Sequence, residues 1–149
     1  MLQSIARKIN IRLADPKDLP KIFLMIDNYS DEREIDRTRI KLCLRELTYI
    51  KGVVCSEYDG QLIGGAAGFI LDSMFNDDVF FVVQFLYIEK KFRYLTRYFL
   101  KELEFSFLTT KVKKIVFGII EDDRKAETLK RFLRMSGYKH FETHYAKTL

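Results

Sequence analysis

Tryptophan is absent from this sequence, and proline, cysteine and glycine are scarce: 2 Pro, 2 Cys and 7 Gly in 149 residues. So little Pro and Gly excludes collagen-like and low-complexity chains. The two cysteines, Cys43 and Cys55, form no Cys-x-x-Cys pair or Cys/His cluster, which argues against a metal site. Each lies in an apolar stretch and reads as a buried thiol packing like a small hydrophobe, kept reduced in a cytosolic chain. No apolar run approaches the roughly 18 to 20 residues that span a bilayer, and residues 1–10 lack the apolar segment of a secretory signal. No Ser/His/Asp grouping or P-loop is visible, so hydrolase and NTPase readings have no positive support. What is abundant is core material: 48% hydrophobic and 14% aromatic residues. That excludes disorder as the main state and fits one domain over residues 1–149, expected to be soluble and cytoplasmic with no membrane partner.

Charge is unevenly divided. Residues 1–88 hold 11 Lys/Arg and 13 Asp/Glu, a net of −2, whereas residues 89–149 hold 15 and 8, a net of +7. A polyanion such as a phosphorylated cofactor or nucleic acid would dock on the second part; equally, the excess can be a solvated face. No groove-reading nucleic-acid motif accompanies it.

Periodicity predicts the element order β-α-α-β-β-β-α-β-α-β in a mixed sheet. Asn10-Ile11-Arg12-Leu13-Ala14 reads as a first strand. Asp15 and Pro16 then open a helix, with Asp18 at its positive end and Leu19, Ile22, Phe23 and Ile26 on its inner stripe. A second helix is expected from Asp31-Glu32 to Lys51-Gly52, with Ile40, Cys43, Leu44 and Leu47 inward. Asp59-Gly60 joins strands at Val53–Tyr58 and residues 61–71 as a hairpin. The small run Gly64-Gly65-Ala66-Ala67-Gly68 predicts either a close backbone neighbour or a bulge. Val79–Ile88 reads as a fully buried central strand broken by Gln84 alone. A third helix follows over Thr96–Phe107, then a strand at residues 112–120. Glu121-Asp122-Asp123 caps a fourth helix with Ala126, Leu129, Phe132 and Leu133 inward, and residues 141–146 form a last strand.

The order and several local sequences resemble the GNAT superfamily of N-acetyltransferases over nearly the whole chain. Asn10 to Leu19 resembles its opening strand and capped helix. Asp59-Gly60-Gln61-Leu62-Ile63-Gly64-Gly65 resembles its hairpin, Phe85-Leu86-Tyr87-Ile88-Glu89-Lys90-Lys91-Phe92-Arg93 resembles "L-x-V-x-P-x-x-R", and Met135-Ser136-Gly137-Tyr138-Lys139 resembles the end of its last helix. The resemblance implies an α+β fold, a mixed sheet of six to seven strands with four helices. It also implies acetyl-CoA as co-substrate, bound where the fourth and fifth strands splay apart, and transfer of the acetyl group to an amine-bearing small molecule or protein.

In that resemblance the cofactor contacts fall on Leu86, Ile88, Arg93, Tyr94, Leu95, Thr96, Arg97 and Tyr98. A backbone N–H near Ile88 polarises the acetyl carbonyl, and the helix start after Arg93 takes the pyrophosphate. The sequence departs from the pattern at four positions: Thr96 and Tyr98 replace loop glycines, Ala126 replaces a frequent Asn, and Leu133 replaces the usual Tyr acid. Gln84 and Tyr87 are then the candidate catalytic residues. Gln84 orients a water or amine, or is a buried amide satisfied by a neighbour; Tyr87 faces the cleft, or packs in the core. Asp77-Asp78 attracts a cationic amine or is a solvated turn. His140 and His144, with Tyr145 and Glu142, lie near the substrate end or on an exposed edge. The departures, and an ending over residues 142–149 similar to that of GNAT-like proteins of bacteriophages, leave a second reading: a catalytically inactive binding or structural protein.

Overall fold

The capping residues at the first strand's end set the entry to everything that follows. The computed structural model describes residues 8–28, 36–119, 126–141 and 146–149. Strand β1 (Ile9–Leu13) is followed by the N-cap Asp15, whose carboxylate accepts the Lys17 N–H at 3.0 Å while the Asp18 carboxylate accepts the Asp15 N–H at 2.8 Å. This reciprocal cap satisfies donors that a helix start leaves open, and Pro16 opens a short 3-10 turn (Pro16–Asp18) running into helix α1 (Leu19–Asp27). Helix α2 (Arg37–Tyr49) begins at the N-cap Asp36, later than the sequence suggests; Asp31 and Glu32 lie outside the described residues. Leu44 and Leu47 face inward as expected, but Cys43 is exposed rather than part of the stripe.

Strands β2 (Val53–Tyr58) and β3 (Gln61–Asp72) form the expected hairpin. Asp59 and Gly60 both have positive φ, 54° and 79°, the geometry of the tight turn that matches strand twist. Strand β4 (Val79–Ile88) pairs antiparallel with β3, and β5 (Val112–Phe117) pairs parallel with β4, giving the order β1-β2-β3-β4-β5. Helix α3 (Thr96–Phe107) makes the crossover between them, and helix α4 (Ala126–Met135) follows β5. The described sheet thus has five strands, not six to seven. Strand β5 stops at Phe117 rather than residue 120, Phe141 belongs to no strand, and Glu121, Asp122, Asp123 and residues 142–145 lie outside the described residues.

Two cores sandwich the sheet. On one face Val54, Ala66, Phe81, Val83 and Ile88 pack under Phe99, Leu100 and Leu103 of α3 and Leu133 of α4. On the other, Val53 and Ala67 pack under Ile26 of α1 and Leu44 and Leu47 of α2. No helix among the described residues is long and apolar enough to cross a membrane. The small-residue run has both expected causes. A Cβ added at Gly64, Gly65 or Gly68 would come within 3.0 Å of a neighbouring strand's carbonyl oxygen. The register also slips twice, at Ser56/Glu57 and at Ala67/Gly68.

One polar cluster was not foreseen. Arg12 on β1 makes a two-pronged contact with Asp18 at 2.7 and 2.9 Å and reaches Glu57 of β2 at 2.8 Å. It ties the first strand to the cap of α1 and to the second strand. The Asp18 carboxyl is held down at about 2 by its hydrogen bonds from Arg12, against the cost of burial and with help from the Asp15 N–H. A carboxylate with a depressed folded pKa stabilises the fold above its unfolded value of 3.8. That contribution, about 2 kcal/mol, disappears as pH falls from 4 through 2. Urea unfolding between pH 5 and pH 2 checks this: the loss of stability should be smaller by that amount in Asp18→Asn than in the wild type.

Candidate functional site

The site is set by where one strand pairing stops. The parallel ladder of β4 with β5 runs from Val79↔Val112 to Val83↔Phe117, while β4 continues to Ile88. Residues 84–88 therefore keep β3 on one side, through Phe85↔Ala67 to Ile88↔Gly64, and lie beyond the β5 ladder on the other. Strand β5 ends at Phe117, the last residue of that ladder, so β4 runs on past its parallel partner.

A bulge lies at the point where the ladder ends. Val83 lies opposite Gly68 and Phe85 opposite Ala67, so Gln84 is an extra residue with no partner on β3. A bulge bends its strand, sharpens the local twist and reverses the side-chain alternation beyond it. Before the bulge, Phe81 and Val83 face the α3–α4 core; after it, Leu86 and Ile88 do, while Phe85 turns to the α1–α2 core. Gln84 itself is exposed, so it is not a satisfied buried amide, and β4 is only part-buried instead of fully covered. The lone Gln in an apolar run was the available signal, because a polar residue there marks the point where the strand turns out to solvent.

Tyr87 is half-buried and, with Phe85, Ile22 and Met25, lines a narrow crevice of about 30 Å³ between β4 and the α1–α2 face. Burial pushes its hydroxyl pKa up, the charge of Glu89 adds to this, and Arg93 opposes it. Tyr87 is therefore a protonated phenol at neutral pH.

Beyond Ile88 the chain enters a helical run earlier than the sequence indicates. A 3-10 segment, Lys90–Leu95, leads directly into α3, so Arg93, Tyr94 and Leu95 are its last residues and not the start of an α-helix. Phe92 N–H already donates to the Glu89 carbonyl at 2.8 Å, which moves the first free N–H donors of the run to Lys90 and Lys91. Lys90, Lys91, Arg93 and Arg97 are exposed and gather positive charge at this end; Tyr94 is exposed too. Lys91 lies 3.7 Å from Glu89 and over the Phe92 ring. Leu95 is fully buried, and the Thr96 hydroxyl donates to the Arg93 carbonyl at 2.7 Å. Tyr98 packs with Ile9, Ile63 and Leu95. The Phe117 ring stacks edge-on against Tyr138 with centroids 5.3 Å apart.

The remaining sequence candidates scatter. Asp78 is engaged by Lys114 at 2.8 Å, which leaves Asp77 as the exposed acid of that turn. Ala126 and Leu133 are buried on the inner face of α4. His140 is exposed and outside any strand, and Glu142, His144 and Tyr145 lie outside the described residues.

Solved acetyltransferases share this overall architecture. A possible acetyltransferase of Clostridium difficile 630 superposes with a TM-score of 0.73 at 16% identity, over 95% of this chain and 97% of that one. The chain has the GNAT fold. The same GNAT fold relates it to a ribosomal-protein-alanine N-acetyltransferase of Brucella melitensis biovar Abortus 2308 (TM-score 0.68, 12% identity, 94% and 99% of the two chains). It likewise relates it to a predicted acetyltransferase of Clostridium acetobutylicum solved with acetyl-CoA (TM-score 0.63, 16% identity, 94% and 96%). No family model and no curated protein sequence matches the chain.

Proposed function

We propose that the chain is an N-acyltransferase that takes an acetyl group from acetyl-CoA and passes it to an amine-bearing acceptor. The observation that carries this reading is the end of the β4–β5 ladder at Val83↔Phe117, with β4 running on through the Gln84 bulge toward the cationic segment Lys90–Leu95. An extended pantetheine arm has amides spaced along its length and lies along residues 84–88, where β4 runs past the end of the β5 ladder. Its phosphates then reach the N–H groups and side chains of Lys90, Lys91, Arg93 and Arg97, whose charge is opposite. Most of this recognition uses backbone donors, so it survives the substitutions at Thr96 and Tyr98.

In the transfer the neutral amine attacks the thioester carbonyl, a C–N bond forms, the C–S bond breaks, and the amine's proton leaves to solvent. A backbone N–H at the end of β4 holds the developing oxyanion, Gln84 orients the incoming amine or a water, and Tyr87, protonated at neutral pH, donates to the departing thiolate. Tyr87 thus stands in for the tyrosine that Leu133 replaces.

The test has two readouts. Acetyl-CoA at about 100 times its Kd should stabilise the fold by about 2.7 kcal/mol and raise Tm by roughly 5–10 °C; no shift at millimolar concentration would eliminate the reading. In a coupled thiol-release assay against a panel of amines, Tyr87→Phe should lower kcat about 100-fold with little change in cofactor binding. Arg93→Ala should instead weaken acetyl-CoA binding about 10-fold. If acetyl-CoA binds and no amine in the panel is acylated, a non-catalytic binding protein on the same fold is the better account.

A further inference from the structure

Cross-strand partners share a face of a sheet, so the register of β2, β3 and β4 sets two rows of residues beneath α1 and α2. One row is Val53, Ala67 and Phe85; the next is Cys55, Gly65 and Tyr87. The first row is filled, with Val53 and Ala67 buried against Ile26 and Leu44 and Phe85 packed beside them. The second has no side chain in its middle. Strands lie about 4.8 Å apart, so Cys55 and Tyr87 flank a gap roughly 10 Å wide, backbone to backbone, over Gly65. Ile22 and Met25 of α1 roof it, and the space enclosed is the crevice of about 30 Å³.

The crevice opens on one side. Cys55, Val53, Ile26 and Leu44 are buried, whereas Tyr87, Ile22 and Met25 keep part of their surface in solvent. Its mouth therefore lies beside Tyr87, on the stretch of β4 that runs past β5. At about 10–15 Å³ for each water-sized occupant, the space holds about two to three non-hydrogen atoms. Among the described residues no charged side chain lines it; the only polar side-chain groups there are the Cys55 thiol and the Tyr87 hydroxyl. An amine would give up its water there with no carboxylate in return, whereas an alkyl chain leaves water at a gain.

We propose that this crevice takes the alkyl end of the donor's acyl group and limits that group to about two to four carbons. The inference rests on the transferase reading, in which the thioester sulfur lies within reach of Tyr87. The acyl carbonyl carbon then stays at the mouth, and the carbons beyond it run over Gly65. Acetyl leaves space over and butyryl fills it. The last carbons of hexanoyl meet the packed row of Val53, Ala67 and Phe85. Met25 sets the limit, because its unbranched side chain forms a part-exposed portion of the roof. The acceptor amine approaches from outside the crevice.

Calorimetric titration of the full chain with free CoA and with its acetyl, propionyl, butyryl and hexanoyl thioesters tests this without any acceptor. Each methylene added from acetyl to butyryl should tighten Kd by about 4-fold. Hexanoyl-CoA should bind at least about 10-fold more weakly than butyryl-CoA. Met25→Ala, checked for folding by circular dichroism, should bring hexanoyl-CoA to within about 2-fold of butyryl-CoA. If that variant does not fold, the wild-type series decides alone. One affinity shared by free CoA and all four thioesters overturns the proposal and leaves the transferase reading standing. So does a folded Met25→Ala that keeps the chain-length profile and changes only which amines are acylated, since the crevice then belongs to the acceptor. Failure of free CoA and every thioester to bind removes the transferase reading itself, and this proposal with it.

Discussion

Gly68→Ala is expected to destabilise the fold by at least about 3 kcal/mol, read as a lowered urea midpoint at unchanged slope. The added methyl would lie within 3.0 Å of the Val82 carbonyl oxygen and carbon and close to the Val83 Cα. All three are backbone atoms held in the β3–β4 ladder, so none can swing aside as a flexible side chain would. Relief requires pulling β3 from β4 at the register slip that creates the Gln84 bulge. The same substitution should therefore also impair acetyl-CoA binding in whatever fraction remains folded. Gly118→Ala is the matched control: nothing lies within 4 Å of its added methyl, and its stability should change by less than about 0.5 kcal/mol.

Arg12→Ala should cost about 3 kcal/mol, the second-largest effect. The Asp18 side chain is only 10% exposed and that of Glu57 only 20%, so removing the guanidinium leaves two poorly solvated carboxylates facing one another. The loss comes from the uncompensated charges more than from the missing contact. Neutralising one of them, in Arg12→Ala/Asp18→Asn, should restore part of the stability. Arg12→Lys should fall between the wild type and the alanine variant, because an ammonium keeps the charge but not the fork that holds both oxygens of Asp18. Equilibrium unfolding of the four proteins at pH 7 separates these outcomes.

Much of the scaffold was legible because its signals are local. Asp59-Gly60 marks a turn by its backbone preference, Asp15-Pro16 marks a helix entry by its cap, and the stripe of Leu100, Leu103 and Phe107 fixes a helix over Thr96–Phe107. Charge partition pointed only as far as residues 89–149, the part that includes Lys90, Lys91, Arg93 and Arg97. What was not legible depends on pairing between distant residues. The bulge at Gln84 exists only relative to Ala67 and Gly68 on another strand, so the phase change from Val83 to Leu86 reads as an unbroken apolar run in one dimension. Arg12 looks like one solvent-facing position in an alternating strand until Asp18 and Glu57 fold around it. The helical start moved from Arg93 to Lys90 because Lys90–Leu95 carries no capping residue or glycine to announce a 3-10 turn. Cys43 sat one position off the buried stripe of α2, within the tolerance of any periodicity argument.

Acetyl-CoA binding along the stretch of β4 that runs past the end of β5 is the claim on which the functional account turns. Backbone amide chemical shifts, followed as acetyl-CoA is titrated into isotopically labelled protein, report on it residue by residue. The account predicts the largest saturable shifts at Gln84, Phe85, Leu86, Tyr87 and Ile88, continuing through Lys90, Lys91, Arg93 and Arg97, with Val79 and Val112 at the paired end of the ladder unmoved. Shifts confined to another part of the molecule, or none at millimolar acetyl-CoA, would contradict it.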